Sequence, residues 1–435
     1  MIPIVEYQQR RQTLMQKMNA NSIAIICTNH EHMRTQDIHF RFRPNGNFYY
    51  LTGFAEAECI VVLIPGRAEG ECILFNLPRD PAREIWDGPR AGQEGAVKDL
   101  GADQAFPIEQ FSNMLPDLLL GKQTLFYQIG FENGIDQLLV SCLNKFRNQS
   151  RLGTTFPTEM MDATAIINEM RAIKSPAEIA IMRKAGQINI AAHQRMMETC
   201  TADMSEIQLA AEGIYTYGKN NCTELAYQSI VATGSNACIL HYRAGDRALQ
   251  KGELVLIDMG EEYEWYASDV TRTFPVSGKF SPEQKQVYEL VLSVQLTIID
   301  LIKPGVAFDS LQEKTVRLIT EGLVTLGLLK GKIDDLIASK AYFDFYMHRV
   351  SHWIGLDAHD TAPYKINGQW RPLQVGMALT VEPGIYISPN NKNVEARWRG
   401  IGIRIEDDVV VTENGCENLT GKAPKTIAEI EAIMK

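Results

Sequence analysis

The sequence predicts two domains in tandem, an α/β unit over residues 1–172 and an α+β unit over residues 173–435. Three observations carry this. At 435 residues the chain is longer than one ordinary hydrophobic core organises. Up to about residue 150, apolar strand-like runs are mixed with segments of helical periodicity, as in an α/β layer. Beyond that point, capped helices are followed by apolar runs that end on acids, which suits helices packed on a largely antiparallel sheet.

In the first domain, residues 6–20 form an amphipathic pattern, and Ser22-Ile23-Ala24-Ile25-Ile26-Cys27 reads as a buried strand. Further strands are expected at 48–52, 58–64, 71–77 and 124–130, and helices at about 107–120 and 132–146. Asn45-Gly46 and Pro65-Gly66 mark turns. Glu84-Ile85-Trp86-Asp87-Gly88-Pro89-Arg90 places Trp86 in a loop. His30, His32 and His39 match no ligand spacing and read as surface residues. Residues 147–160 are polar, with Gly153 and Pro157, and serve as a linker.

The second domain opens with Ser175-Pro176-Ala177-Glu178, a capping box with proline at the first helical position. Ser205 with Gln208, and Ser281-Pro282-Glu283-Gln284, start two more helices in the same way. The third runs to about Ile302 and stops at Pro304-Gly305, and another helix is expected over 309–327.

Composition narrows the class. Hydrophobic residues make up 45% and charged residues 22%, as in a globular protein. No apolar run approaches a membrane span, and the first residues lack the features of a signal peptide. The eight cysteines are scattered without zinc-like spacing, which suits reduced thiols in the cytoplasm. A net charge of −10 argues against a nucleic-acid surface.

The chemistry sits on strands. Glu253-Leu254-Val255-Leu256-Ile257-Asp258-Met259-Gly260 is an apolar strand carrying Asp258 at its end. Trp265 to Phe274 returns as a second strand with Asp269, so the two carboxylates can meet across an antiparallel pair. His348, His352 and His359 fall within twelve residues. Ala378-Leu379-Thr380-Val381 runs into Glu382-Pro383-Gly384. Gly400 to Val411 alternates as one strand, with Arg404 and Glu406 on one face and Asp407 and Asp408 after them. Each signal alone is ordinary, since strand-end aspartates favour turns and a lone histidine is usually structural. Together Asp258, Asp269, His352, Glu382 and Glu406 make an oxygen-rich set with one nitrogen. That set suits Mn²⁺, Mg²⁺ or Co²⁺ more than structural zinc, and four carboxylates suggest two ions.

In this order and in these motifs, the five residues resemble the pita-bread (creatinase/aminopeptidase-like) metallopeptidases, which include methionine aminopeptidase, prolidase and aminopeptidase P. Asn47-Phe48-Tyr49-Tyr50-Leu51-Thr52-Gly53 and Glu84-Ile85-Trp86-x-Gly88 extend the resemblance into the first domain, toward the aminopeptidase P branch. One departure stands out: Arg349 follows His348 where that family usually has glycine.

The resemblance implies a catalytic α+β domain holding two divalent ions, Mn²⁺ foremost. Asp258 would bind one ion, His352 and Glu382 the other, with Asp269 and Glu406 shared. Glu382 would also move the proton. His241 or His359 would stabilise the developing oxyanion. Tyr227, His348 and Arg404 would sit against a proline ring, with Arg404 alternatively orienting Glu406. Trp86 would reach a neighbouring subunit's site, unless it is a plain core residue. Arg151 and Arg371 would hold the peptide further out. The expected activity is release of the residue preceding proline from proline-containing peptides by a cytoplasmic homo-oligomer, a dimer or tetramer, with no membrane or nucleic-acid partner. The alternatives are a prolidase limited to dipeptides and a non-catalytic binding module.

Overall fold

The computed structural model describes residues 1–149, 151 and 153–434. It divides into two compact units, Met1–Arg171 and Ala172–Lys435.

The first unit is built on a six-stranded mixed sheet in the order Gln104–Pro107, Cys72–Asn76, Ile60–Leu63, Ser22–Cys27, Thr124–Phe126, Glu159–Met161. The three central strands pair antiparallel and the outer ones add in parallel. Ile23, Ile25, Val62, Ile73 and Phe75 pack against Phe111, Leu115 and Leu139 of the flanking helices.

Several sequence expectations change here. The aromatic run at 48–52 is not a strand but the helix Gly46–Thr52. The Asn45 side chain accepts from the backbone N–H groups of Asn47 and Phe48, and Gly53 closes the helix at φ 66°. Both ends are capped, which outweighs the β preference of Phe48 and Tyr49. Trp86 lies in the helix Pro81–Asp87, capped by Asp80, and is 82% exposed, so it is not a core residue. The expected linker instead contributes Glu159–Met161 as the sheet's last strand.

The second unit starts as its caps dictate. The helices Pro176–Thr199, Glu206–Lys219 and Pro282–Leu301 each show both hydrogen bonds of the capping box. Phe308–Thr325 follows. Among its described strands every pairing is antiparallel. The core joins helix residues such as Met196, Leu209 and Val291 to strand residues such as Val255, Ile257 and Ile385. Each such fully buried side chain contributes about 1.5–3 kcal/mol.

Two expected strands are broken. Trp265 to Phe274 splits into Tyr266–Ala267, the return arm of a hairpin turning at Glu264 and Trp265 (φ 48° and 68°), and Val270–Pro275. Gly400 to Val411 splits as well. Gly402–Arg404 pairs with Gly384–Tyr386, whereas Asp407–Val411 pairs with Ala378–Val381 and Cys416–Asn418. At the break, the Glu406 N–H leaves both ladders and donates to the Thr271 carbonyl at 3.1 Å. No helix among the described residues is long and apolar enough to cross a membrane.

Candidate metal centre

The strand breaks converge on a cavity of about 1040 Å³, whose lining residues all lie between Ala226 and Glu406. It contains Asp258, Asp269, His352, Glu382 and Glu406.

Asp258 stands near the end of Leu254–Met259, and the register pairs it with Thr271, while Met259 pairs with Val270. Asp269 therefore precedes the ladder and meets Asp258 diagonally rather than directly opposite. Gly260 makes this approach possible, because a Cβ there would lie 1.7 Å from the Ser268 carbonyl oxygen. The Tyr227 hydroxyl lies 2.7 Å from Asp258 Oδ1 and 2.5 Å from Asp269 Oδ1.

His352 is oriented from behind. Its N–H donates to Thr380 Oγ1 at 3.1 Å, and Nδ1 donates to the Trp353 carbonyl at 3.0 Å. Nε2 is left facing Asp269 Oδ2 at 3.5 Å and Glu382 Oε1 at 3.8 Å. Glu382 is held where its strand breaks at Pro383, with its N–H donating to the Val350 carbonyl at 2.8 Å. Glu406 Oε2 accepts from Thr271 Oγ1 at 2.6 Å. Asp269, His352 and Glu406 each offer a ligand atom, all within 4.8 Å of one another.

The electrostatics demand a cation. Burial and the charges of Asp269, Glu382 and Asp258 push Glu406 well above the carboxylate range. Burial lifts Glu382 to about 7, against the pull of His352 and Arg404, and also raises Asp258. Burial opposes charge on His352, but hydrogen bonding to Asp269 and the charge of Glu382 prevail and raise it to about 9. Burial and mutual repulsion oppose the charges of Asp258, Glu382 and Glu406, and added positive charge would relieve them, while Asp269 is already held ionised by its neighbours. Oxygen donors with one imidazole nitrogen fit hard or borderline divalent cations. Asp258, Asp269, His352, Glu382 and Glu406 would hold them.

The surrounding residues refine several expectations. Arg404 does not pair with Glu406: Nη2 donates to Asp258 Oδ2 at 2.5 Å, Nε to Thr271 Oγ1 at 3.2 Å and Nη1 to the Tyr386 hydroxyl at 2.9 Å. That hydroxyl in turn lies 2.8 Å from His348 Nε2, whose Nδ1 meets the Arg349 carbonyl at 2.8 Å. Burial and the Arg404 charge hold His348 down at about 3, so it is neutral. Asp407 and Asp408 are buried supports. Asp407 pairs with Arg272 at 2.7 Å and with Lys425. Asp408 Oδ2 accepts the Asp269 N–H at 2.9 Å and Ser268 Oγ at 3.0 Å.

His241 and His359 are exposed and line the cavity, and the His359 ring sits 4.3 Å from that of His352, edge-on. Arg371 is corrected: it is 1% exposed and does not line the cavity, so its guanidinium belongs to the core and is not available to peptide. Arg151 is exposed in the first unit. The sequence reading missed Tyr386, Thr271 and Thr380. Only Thr271 carried a positional signal, opposite Asp258 in its strand pair, whereas Thr380 and Tyr386 pair with Asp408 and Gly402.

Comparison with known proteins gives the family and the fold. The sequence profile of metallopeptidase family M24 matches residues 180–413, and that of the aminopeptidase P N-terminal domain matches residues 7–127. The chain is 43% identical to an Escherichia coli protein named Xaa-Pro aminopeptidase, over 99% of this chain and 97% of that one. It is 40% identical to the Haemophilus influenzae protein of the same name, over 100% and 98%. The solved structure of Pseudomonas aeruginosa aminopeptidase PepP superposes with a TM-score of 0.98 at 50% identity, covering 100% of this chain and 98% of that one. Zinc-substituted E. coli aminopeptidase P in complex with product gives 0.96 at 43% identity, with the same coverage. The second unit is thus the pita-bread fold, and the chain belongs to metallopeptidase family M24, with an aminopeptidase P N-terminal domain ahead of it.

Proposed function

We propose that this protein is a metal-dependent exopeptidase that releases the N-terminal residue from peptides with proline in second position. One observation carries the reading: Asp258, Asp269, His352, Glu382 and Glu406 converge in a cavity large enough for a peptide end. The full-length likeness to proteins named Xaa-Pro aminopeptidase supports the choice of substrate.

Two divalent ions, Mn²⁺ foremost, would be held by the five ligands, and when bound they supply Lewis-acid polarisation and acidify water. Glu382, raised to about 7, is poised to take a proton from the attacking water and return it to the departing proline nitrogen. His241 and His359 face the cavity as donors to the developing carbonyl oxyanion. Tyr227 and His348 form walls for the proline ring, and Arg404 holds Asp258 in place. The free α-amine of the substrate is drawn to the acidic floor, which favours chain ends over internal bonds.

Cytoplasmic location is supported by eight free cysteines, six of them buried. Assembly into a dimer or tetramer is supported by Ile85 and Trp86, both 82% exposed on one short helix. That exposure also suits Trp86 reaching a neighbouring copy's site, and Arg151 is exposed for an outer peptide contact.

Metal-stripped protein should lose Xaa-Pro hydrolysis and regain it with Mn²⁺. Full activity of Glu406→Ala with unchanged bound metal would sink the assignment. Cleavage of an Xaa-Pro-Xaa tripeptide separates this activity from that of a prolidase, which attacks only Xaa-Pro.

A further inference from the structure

The cavity is not uniformly acidic. Its floor holds the four carboxylates, but its rim carries a cation, Arg349, beside Tyr364 and Trp370. Arg349 is held in place on two sides. Nη2 donates to Asp309 Oδ1 at 2.5 Å, and the guanidinium carbon lies 4.8 Å from the centroid of the Trp370 ring. Lys365 places its ammonium 4.5 Å from the same ring, adding a second positive charge.

Stacking and the ion pair fix the plane of the guanidinium while using only one of its nitrogens. Among the described residues, Nε and Nη1 make no hydrogen bond to protein. The Arg349 side chain is 46% exposed and that of Asp309 23%, so water screens the pair and it does not exhaust the arginine's charge. A planar fork with a free edge is suited to a carboxylate, which it can grip with two parallel hydrogen bonds.

Its position sets which carboxylate. His348, the preceding residue, has its Nδ1 3.7 Å from Glu382 Oε2, at the heart of the site. His348 and Arg349 line the same cavity, and with His348 walling the proline ring the half-exposed Arg349 at the rim faces whatever follows the proline. The charges then match along the substrate: amine toward the acidic floor, carboxylate toward the cationic rim.

We infer that Arg349 is a specificity-determining residue that recognises a carboxylate immediately beyond the proline. The carboxylate is either the C-terminus of a tripeptide or the side chain of an acidic third residue. The inference rests on the Xaa-Pro reading above.

The test uses Mn²⁺-loaded full-length protein and two matched peptide pairs: Ala-Pro-Ala as acid and as amide, and Ala-Pro-Glu-Ala-amide against Ala-Pro-Gln-Ala-amide. The charged member of at least one pair should be favoured on the order of tenfold in kcat/KM, mainly through KM. Preference confined to the first pair identifies the chain terminus as the ligand, and confined to the second, the side chain. In Arg349→Met the ratio should fall to near one. In Arg349→Lys, which keeps the charge without the fork, it should be intermediate. Cleavage without discrimination in either pair, or discrimination that survives in Arg349→Met, overturns the inference alone. If no Xaa-Pro peptide is cleaved, the functional reading falls and takes this inference with it.

Discussion

Arg404 Nη2 lies 2.5 Å from Asp258 Oδ2, in an ion pair whose side chains are 5% and 11% exposed. The arginine therefore anchors Asp258 on another strand rather than the glutamate two residues along its own chain. Arg404→Met should leave the Asp258 charge uncompensated. Metal affinity is expected to fall about 10–100-fold, and stability by about 3–5 kcal/mol. Titration calorimetry with Mn²⁺ and chemical denaturation measure the two, and unchanged affinity would remove Arg404 from the support of the centre.

The Tyr227 hydroxyl spans Asp258 and Asp269 with a single hydrogen. Tyr227→Phe keeps the ring and removes the tie. Half-saturation by Mn²⁺ should then require about tenfold more metal, with KM for peptide changed less. A large KM effect at normal metal affinity would instead make Tyr227 chiefly a wall of the proline site.

The centre should make metal-stripped protein less stable as pH rises. A carboxyl raised in the fold, as Glu382 is to about 7 and as Glu406 is by burial and neighbouring carboxylates, stabilises fully below its unfolded value near 4.3 and loses that contribution as pH climbs through the folded value. His352, raised to about 9, contributes below about 6.5 and loses its share as pH rises to about 9. Asp269, in which burial is outweighed only by His352, Tyr227 and Arg404 together, is lowered and runs the other way. The thermal midpoint of stripped protein should drop from about pH 4.5 to about pH 9. Bound Mn²⁺ should widen its advantage over the same range, because ligands must be deprotonated. Parallel curves with and without metal would contradict the assignment.

Asp407 gives the opposite sign. Burial opposes its charge, but Arg272 and Lys425 hold it at about 2. Its stabilisation is present above the unfolded value near 3.9 and is lost as pH falls toward 2. Asp407→Asn should cost about 3–5 kcal/mol at neutral pH, because Arg272 stays buried without its counter-charge. Denaturation at pH 7 and below pH 3 should show the gap between native and variant closing in acid.

Much was legible because it is local. The capping boxes at Ser175, Ser205 and Ser281 lie within four residues each, and all three begin helices where expected. The candidate site residues were legible only as a set, because each strand-end acid alone is an ordinary turn residue, yet Asp258, Asp269, His352, Glu382 and Glu406 line one cavity. The aromatic run at 48–52 misled, because its helix depends on caps at Asn45 and Gly53 rather than on its own side chains. Arg371 misled because its charge gave no sign of its burial.

The sequence by itself determined the helix starts, the apolar strands and the motif order that marks the family, since these depend on residue type and spacing. Only the tertiary structure decided how the strands break and what each charge faces. Alternation from Gly400 to Val411 points to one strand, yet Gly402–Arg404 and Asp407–Val411 enter different sheets. That split frees Glu406 for the centre and places Arg404 against Asp258, 146 residues away in the chain. Partners at such separations are chosen by sheet register and shared burial, and neither is written in any short stretch of sequence.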